Sequence, residues 1–149
     1  MSESGKSETK ETKNESPQYE PLESDDLAIT IARIANEKKA ENLVAMRVRE
    51  LVQYTDYFII LSGHSDRQVA ALRDHIQKRV KAELGLPPFR VEGTDNNHWV
   101  ILDFSDVVVH IFYEPTREFY NLEELWEEAP HLELDFIEKD YSDSYSSDS

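Results

Sequence analysis

The sequence contains no cysteine, and this absence excludes several kinds of chemistry at once. Disulfide frameworks, thiol nucleophiles and cysteine-based zinc sites all need that residue. The chain also has no apolar run near the roughly 18 residues that suggest a membrane-spanning helix. Its first residues contain no hydrophobic stretch of the kind found in secretory signal peptides. We therefore expect a soluble, cytoplasmic protein without membrane association.

Basic residues are few compared with acidic ones: 16 Lys and Arg stand against 31 Asp and Glu, and the formal net charge is −15. Residues 1–21 contribute −2 and residues 138–149 contribute −3, which leaves −10 on the segment between them. Nucleic-acid affinity comes largely from Lys and Arg that displace counterions from phosphates. We expect no direct nucleic-acid reader, although ordinary solubility also explains the acidity.

The length of 149 residues fits one domain with tails. Residues 1–21 are polar and nearly free of large apolar side chains, so they are predicted to be a disordered tail. Residues 131–149 form an acidic C-terminal extension, which we predict to be mostly disordered because its end is low-complexity and Ser-rich. A single folded domain over residues 22–130 lies between them.

The first half of that domain shows one helix and two strands. Ser24 is expected to cap the helix, since Asp25 and Asp26 follow it in the first turn. Alternating apolar residues over Val44–Val48 predict a strand with one buried face. The continuous apolar run Tyr57–Leu61 is better suited to a central strand that is buried on both faces.

The second half begins with a long helix and continues with short strands. Ser65 and Gln68 form a capping-box pattern that opens the helix, and Gly85 is expected to end it. Three strands and a short final helix capped by Asn121 follow; the strands are Phe89–Glu92, Trp99–Asp103 and Val107–Phe112. The predicted order is α-β-β-α-β-β-β-α, an α/β (α+β) fold with a mixed sheet of about five strands flanked by helices.

The residues give little support for catalysis, for a metal or for a cofactor. The turn at Ser62-Gly63, between a predicted strand and a helix, could bind an anion at the helix N-terminus. A helix that caps itself explains the pattern better. Metal-dependent nucleotidyl transfer would need paired acids on a strand, whereas Asp103 and Asp106 flank a hairpin turn. His110 lies in an apolar strand and is interpreted as a buried histidine with one hydrogen-bond partner, in preference to a catalytic base.

Trp99 begins a strand directly after a polar turn, so it lies at a sheet margin. Large aromatic residues at such margins can anchor protein interfaces, but a tryptophan folded back on the core fits the periodicity equally well. Residues 114–140 add ten acidic residues beside Phe119, Tyr120 and Trp126. A solvated face is the usual explanation, and docking to a basic protein surface is the alternative.

Several segments resemble segments of the Iojap-like ribosomal silencing factor family, and they occur in the same order along the chain. The run YTDYFIILSG followed by SDRQ is similar to the family segment TDYFVIASGxSxRQ. Further similar segments follow it in the same order: Val91–Gly93, Trp99–Asp103, Asp106–His110 and Arg117–Trp126. The resemblance extends from about Leu27 to Trp126 and covers neither tail.

The resemblance implies a nucleotidyltransferase-like fold that lacks the catalytic acids. It implies a non-enzymatic protein that binds the large ribosomal subunit through ribosomal protein fourteen and represses translation by blocking 30S–50S joining. Large-subunit assembly with the same contact is the alternative, and a homodimer in isolation is also implied. Trp99 is then expected to be an interface anchor, and the residues expected to share its contact are Glu92, His98, Ile101, Asp103, Asp106 and Tyr120.

Overall fold

The computed structural model describes residues 23–137, so the predictions for residues 1–22 and 138–149 lie outside it. Within this range the helices are α1 (Ser24–Asn36), α2 (Asp66–Leu84), α3 (Glu114–Tyr120) and α4 (Leu122–Leu125). The strands are β1 (Glu41–Arg47), β2 (Tyr57–Gly63), β3 (Arg90–Glu92), β4 (Trp99–Asp103) and β5 (Val107–Tyr113). The predicted single-domain α+β fold with a mixed sheet is confirmed.

The five strands form one sheet in the order β1-β2-β5-β4-β3. Strands β2 and β5 run parallel in the middle, with Tyr57 opposite Val107 and Gly63 opposite Tyr113, and the other neighbours are antiparallel. All seven residues of β2 are buried. The apolar run therefore forms the central strand that its composition predicts.

Helices α1 and α2 cover one face of the sheet. The stripe Val69, Leu72, Ile76 and Val80 of α2 is buried there, together with the apolar side of α1. These side chains meet alternate residues of β2, β4 and β5 in one continuous core. Fully burying one such side chain stabilises the fold by roughly 1.5–3 kcal/mol, and this face buries more apolar residues than the other.

Strand β1 is buried on both faces, where one buried face was predicted. Leu43 and Ala45 join the core beneath the helices, while Met46 and Val48 belong to a second cluster on the other face. That second face receives the chain after β5, and Ala129 is buried against it. The alternation in the sequence identified only one of these two packed faces.

The predicted cap of α2 is confirmed and that of α1 is wrong. The Ser65 hydroxyl accepts a hydrogen bond from the Gln68 amide at 3.1 Å, and Gly85 ends α2 with a φ of 65°. Helix α1 has no side-chain cap, because Ser24 already lies inside it. The Ser24 hydroxyl instead accepts a hydrogen bond from the Arg49 guanidinium at 2.8 Å.

The final helical region begins earlier than predicted. Helix α3 starts directly after β5, and α4 follows it after the single residue Asn121. Asn121 has a φ of 49° and makes no side-chain cap, so the predicted capping role is wrong. Pro115 lies in the first turn of α3, where a proline needs no amide donor and its fixed φ suits a helix.

After α4 the chain returns to the outer edge of β1. The carbonyl of Pro130 accepts a hydrogen bond from the Arg47 amide at 2.7 Å, and the Leu132 amide donates to the Ala45 carbonyl at 2.8 Å. Phe136 and Ile137 pack against the helix-covered core. The described part of the C-terminal extension, residues 131–137, thus covers an edge that would otherwise expose unpaired backbone groups.

Candidate functional site

The sheet face opposite α1 and α2 is covered only in part, and we call it the open face. Strand pairing places its side chains in neighbouring rows: Met46, Phe58, Ile60, Val108, His110, Phe112, Trp99, Ile101, Asp103 and Glu92. Leu122, Trp126 and Ala129 pack over the rows of β1 and β2. Trp99 and Ile101 on β4 remain half-buried, which leaves this part of the face accessible to a partner.

Trp99 is held on three sides. Its ring stacks on Phe112 at 4.9 Å between centroids, and the Tyr120 ring lies 4.8 Å away on α3. Its indole nitrogen Nε1 donates a hydrogen bond to Nδ1 of His110 at 3.1 Å. The sequence fitted a core tryptophan and an interface tryptophan equally well. The structure shows a half-buried ring that is fixed by these contacts and keeps part of its surface exposed.

His110 is buried beneath that ring, with 6% of its surface exposed. Indole N–H is only a donor, so Nδ1 must be the acceptor and the proton of the neutral imidazole lies on Nε2. Burial lowers the pKa of His110 to about 4, which keeps it neutral near pH 7. Nε2 has no hydrogen-bond partner among the described residues, and the ring meets Phe58 edge to face at 4.7 Å. The predicted buried histidine with one partner is confirmed.

An open groove of about 430 Å³ lies beside Trp99. Its walls come from the turn before β4 and from α3: Asn96, His98, Trp99, Pro115, Thr116, Phe119 and Tyr120. Phe119 and Tyr120 expose 79% and 51% of their surfaces. Large aromatic side chains exposed together are typical of surfaces that bind another macromolecule.

Four of the residues expected at the interface are neighbours on the open face. Trp99, Ile101 and Asp103 alternate along β4, and Glu92 lies opposite Ile101 on β3. Arg90 forms ion pairs with Asp103 at 3.2 Å and with Glu92 at 3.4 Å. The structure therefore brings these four together as a half-buried apolar strip with a charged border.

The other three expected residues lie at opposite ends of that strip. Tyr120 contacts Trp99 directly, and His98 packs at the margin against Tyr113, with 5.1 Å between ring centroids. Asp106 is exposed in the turn after β4. Since β4 advances about 3.3 Å per residue, Asp106 lies more than about 13 Å from Trp99. A partner that contacted all seven residues would have to cover the whole length of β4.

Sequence reasoning missed the role of Arg117, whose side chain is buried at 7% exposure. Its guanidinium donates to both carboxylate oxygens of Glu123, at 3.2 and 2.7 Å, and to the Ser62 hydroxyl at 2.7 Å. These bonds fix α3 and α4 to the end of β2, and thereby hold Tyr120 beside Trp99. The signal in the sequence was a lone arginine in a strongly acidic segment, since such a charge is seldom buried without a partner.

The strand–helix turn after β2 leaves little space at its glycine. A side chain at Gly63 would meet Val69 at 3.2 Å, so the turn is packed against α2. Within residues 23–137 no cluster of three or more potential metal ligands occurs. No helix in the same range is long and apolar enough to cross a membrane.

Comparison with known proteins identifies relatives whose names state a role. The family described as "Ribosomal silencing factor during starvation" matches residues 21–149. The ribosomal silencing factor RsfS of Halalkalibacterium halodurans is 41% identical over 102 residues, which are 68% of this chain and 86% of that protein. The chloroplastic protein Iojap of Zea mays is 40% identical over 112 residues, 73% of this chain and 47% of its own length.

A mouse protein named mitochondrial assembly of ribosomal large subunit protein 1 is 34% identical over 103 residues, covering 68% of this chain and 44% of that protein. Among solved structures, a crystal structure from Chromobacterium violaceum aligns with a TM-score of 0.68 at 28% identity. The alignment covers 71% of this chain and 88% of that chain. The similarity therefore includes both sequence and fold.

Proposed function

Because the chain belongs to the ribosomal silencing factor family, we propose that it binds the large ribosomal subunit through ribosomal protein fourteen. In this proposal the bound protein blocks joining of the 30S and 50S subunits and so represses translation in the cytoplasm. It acts as a binding module and not as an enzyme. The name of the mouse relative, which refers to assembly of the ribosomal large subunit, supports the large subunit as the target.

The half-exposed ring of Trp99 is the observation that carries the proposal. Its stacking on Phe112 and its hydrogen bond to His110 hold the ring in one orientation. A rigid, partly exposed aromatic ring loses little conformational freedom when a partner covers it. This is the property expected of an anchor at the centre of an interface, with Ile101 and Tyr120 beside it.

Charge supports a basic protein as the direct partner. Glu92 and Asp103 border the strip on the open face, and Asp106 is exposed at its far end. Arg90 offsets part of that charge. The net charge of −15 makes direct contact with ribosomal RNA unfavourable, whereas a basic ribosomal protein would be attracted.

Sedimentation of ribosomal subunits tests the proposal. We expect the protein to co-sediment with 50S and not with 30S particles, and to lower the 70S fraction when the subunits are mixed. Steric occlusion predicts that added protein lowers the 70S fraction in proportion to its occupancy on 50S. Binding to 30S alone, or an unchanged 70S fraction at saturation, would contradict the proposal.

A role in large-subunit assembly is the second candidate, favoured by the name of the mouse relative. Depletion of the protein separates the two. An assembly factor leaves incomplete large particles when it is removed, whereas a silencing factor leaves mature 50S subunits and more 70S. A homodimer in isolation is part of the same proposal, and sedimentation equilibrium of the purified protein checks it.

A further inference from the structure

The hydrogen-bonded pair of Trp99 and His110 joins the candidate interface to the sheet beneath it. Trp99 and His110 lie on neighbouring strands, where Trp99 is opposite Phe112 and His110 is opposite Ile101. Their side chains therefore meet diagonally on the open face, with Nε1 of the indole 3.1 Å from Nδ1 of the imidazole.

The chemistry of the two rings determines which one donates the hydrogen bond. The indole can only donate, so the bond requires the Nδ1 lone pair of a neutral imidazole. His110 meets Phe58 at 4.7 Å on one side and lies below Trp99 on the other, so the imidazole has little room to rotate. Because Nδ1 of His110 is a fixed acceptor in a buried environment, it favours one rotamer of Trp99.

A histidine at this position is otherwise hard to explain. Nε2 has no hydrogen-bond partner among residues 23–137, and burying an unpaired polar group lowers stability. An aliphatic residue would fill the same space without that penalty. The one bond that only a polar side chain can make here is the bond to Trp99.

We infer that His110 is the positioning residue of the interface, which orients the Trp99 ring for the partner through the Nδ1 acceptor. The inference rests on the proposed function, since it assumes that Trp99 contacts the large subunit. A ring that is already oriented binds with less entropy loss than a ring free to rotate. Removing the acceptor should therefore weaken binding even though His110 itself is buried and contacts no partner.

Asparagine and leucine form a matched pair for the test, because their side chains have the same branched shape and differ in polarity. His110→Asn keeps an acceptor near the position of Nδ1, whereas His110→Leu removes it. We expect His110→Leu to lower affinity for purified 50S subunits by about 3- to 10-fold and His110→Asn to restore most of the loss. The nitrogen-15 spectrum should show the Trp99 indole proton shifted and more rapidly exchanged in His110→Leu alone.

Trp99→Phe gives an independent readout, since phenylalanine keeps the stacking and lacks the N–H donor. The double variant with His110→Leu should bind no more weakly than Trp99→Phe alone, because Trp99→Phe already removes the bond to His110. Additive losses, equal losses for asparagine and leucine, or a lower melting temperature with unchanged affinity would overturn the inference. A parent protein that does not bind 50S would instead contradict the proposed function, and the indole spectrum would still decide whether His110 holds the ring.

Discussion

The two faces of the sheet differ in how completely they are covered. On the helix-covered face, α1 and α2 bury a continuous apolar core, and an ion-pair network of Arg33, Glu37, Arg79 and Glu83 joins the two helices. On the open face the last helices cover β1 and β2 and leave Trp99 and Ile101 half-exposed. The first face forms the larger part of the core, and the second leaves an ordered apolar strip uncovered.

The largest effect should follow a cavity on the helix-covered face. Leu72 is 1% exposed, so Leu72→Ala should lower the free energy of unfolding by about 2–5 kcal/mol. Ile101→Ala on the open face removes a half-buried side chain and should cost about 1 kcal/mol. Urea denaturation of both variants measures the difference. Equal losses would show that the two faces contribute alike to the fold.

Trp99→Ala should affect binding more than folding. Truncating a central interface aromatic costs on the order of 2–4 kcal/mol of binding free energy, roughly 30- to 1000-fold in affinity. The loss of stacking on Phe112 and Tyr120 should also lower the free energy of unfolding, by about 1–2 kcal/mol. Binding to purified ribosomal protein fourteen, measured beside a thermal melt, separates the two effects.

Phe89→Ala is the matched control for that variant. Phe89 is 74% exposed, and its place next to Arg90 directs it away from the open face. Its removal should change neither the melt nor the affinity. A Phe89 variant that binds as weakly as the Trp99 variant would move the interface away from the open face.

Acid should destabilise the protein through His110. Its pKa in the folded protein is about 4, below the ordinary 6.5, because burial disfavours the charged imidazole. The unfolded chain therefore binds more protons between pH 6.5 and 4, and stability falls as the pH falls through that window. The expected contribution is about 3 kcal/mol between those limits. His110→Leu should remove this component from the pH dependence of unfolding; an unaltered slope would contradict the burial of a neutral histidine.

The smallest expected effect concerns charge on the two faces. Glu92→Lys reverses an exposed carboxylate on the open face that pairs with Arg90. Asp74→Lys makes the same change on α2, where the exposed carboxylate of Asp74 likewise pairs with a neighbouring arginine, Arg73. The first should weaken binding to ribosomal protein fourteen by about 3- to 10-fold at low salt, and the difference should shrink as salt rises. The second should have little effect. Equal losses of affinity in the two variants would mean that binding depends on the total charge of the protein and not on where the charge lies.

Most of the fold could be predicted from local sequence signals. The buried run in β2, the cap formed by Ser65 and Gln68, and the end of α2 at Gly85 each depend on neighbouring residues, and all three are observed. Helix α3 was missed because Pro115 resembles a helix breaker when its position in the first turn is unknown. The second buried face of β1 was missed because its cover comes from the far end of the chain.

The site was less predictable because its geometry depends on strand pairing. Trp99 and His110 are eleven residues apart, and only the register of β4 against β5 brings them together. The hydrogen bond from Arg117 to the Ser62 hydroxyl joins residues that are still farther apart in the sequence. Local patterns identify a tryptophan at a sheet margin and a histidine in an apolar strand, but their contact is a property of the folded sheet.

Hydroxyl-radical footprinting tests the central claim most directly, namely that the open face is the surface that binds the large subunit. The radicals oxidise accessible aromatic side chains, which the chain exposes on both faces. With purified ribosomal protein fourteen bound, we predict that oxidation of Trp99, Phe119 and Tyr120 falls while that of Phe89 is unchanged. Unchanged oxidation of Trp99 and Tyr120, with protection confined to Phe89 and the helix-covered face, would contradict the account.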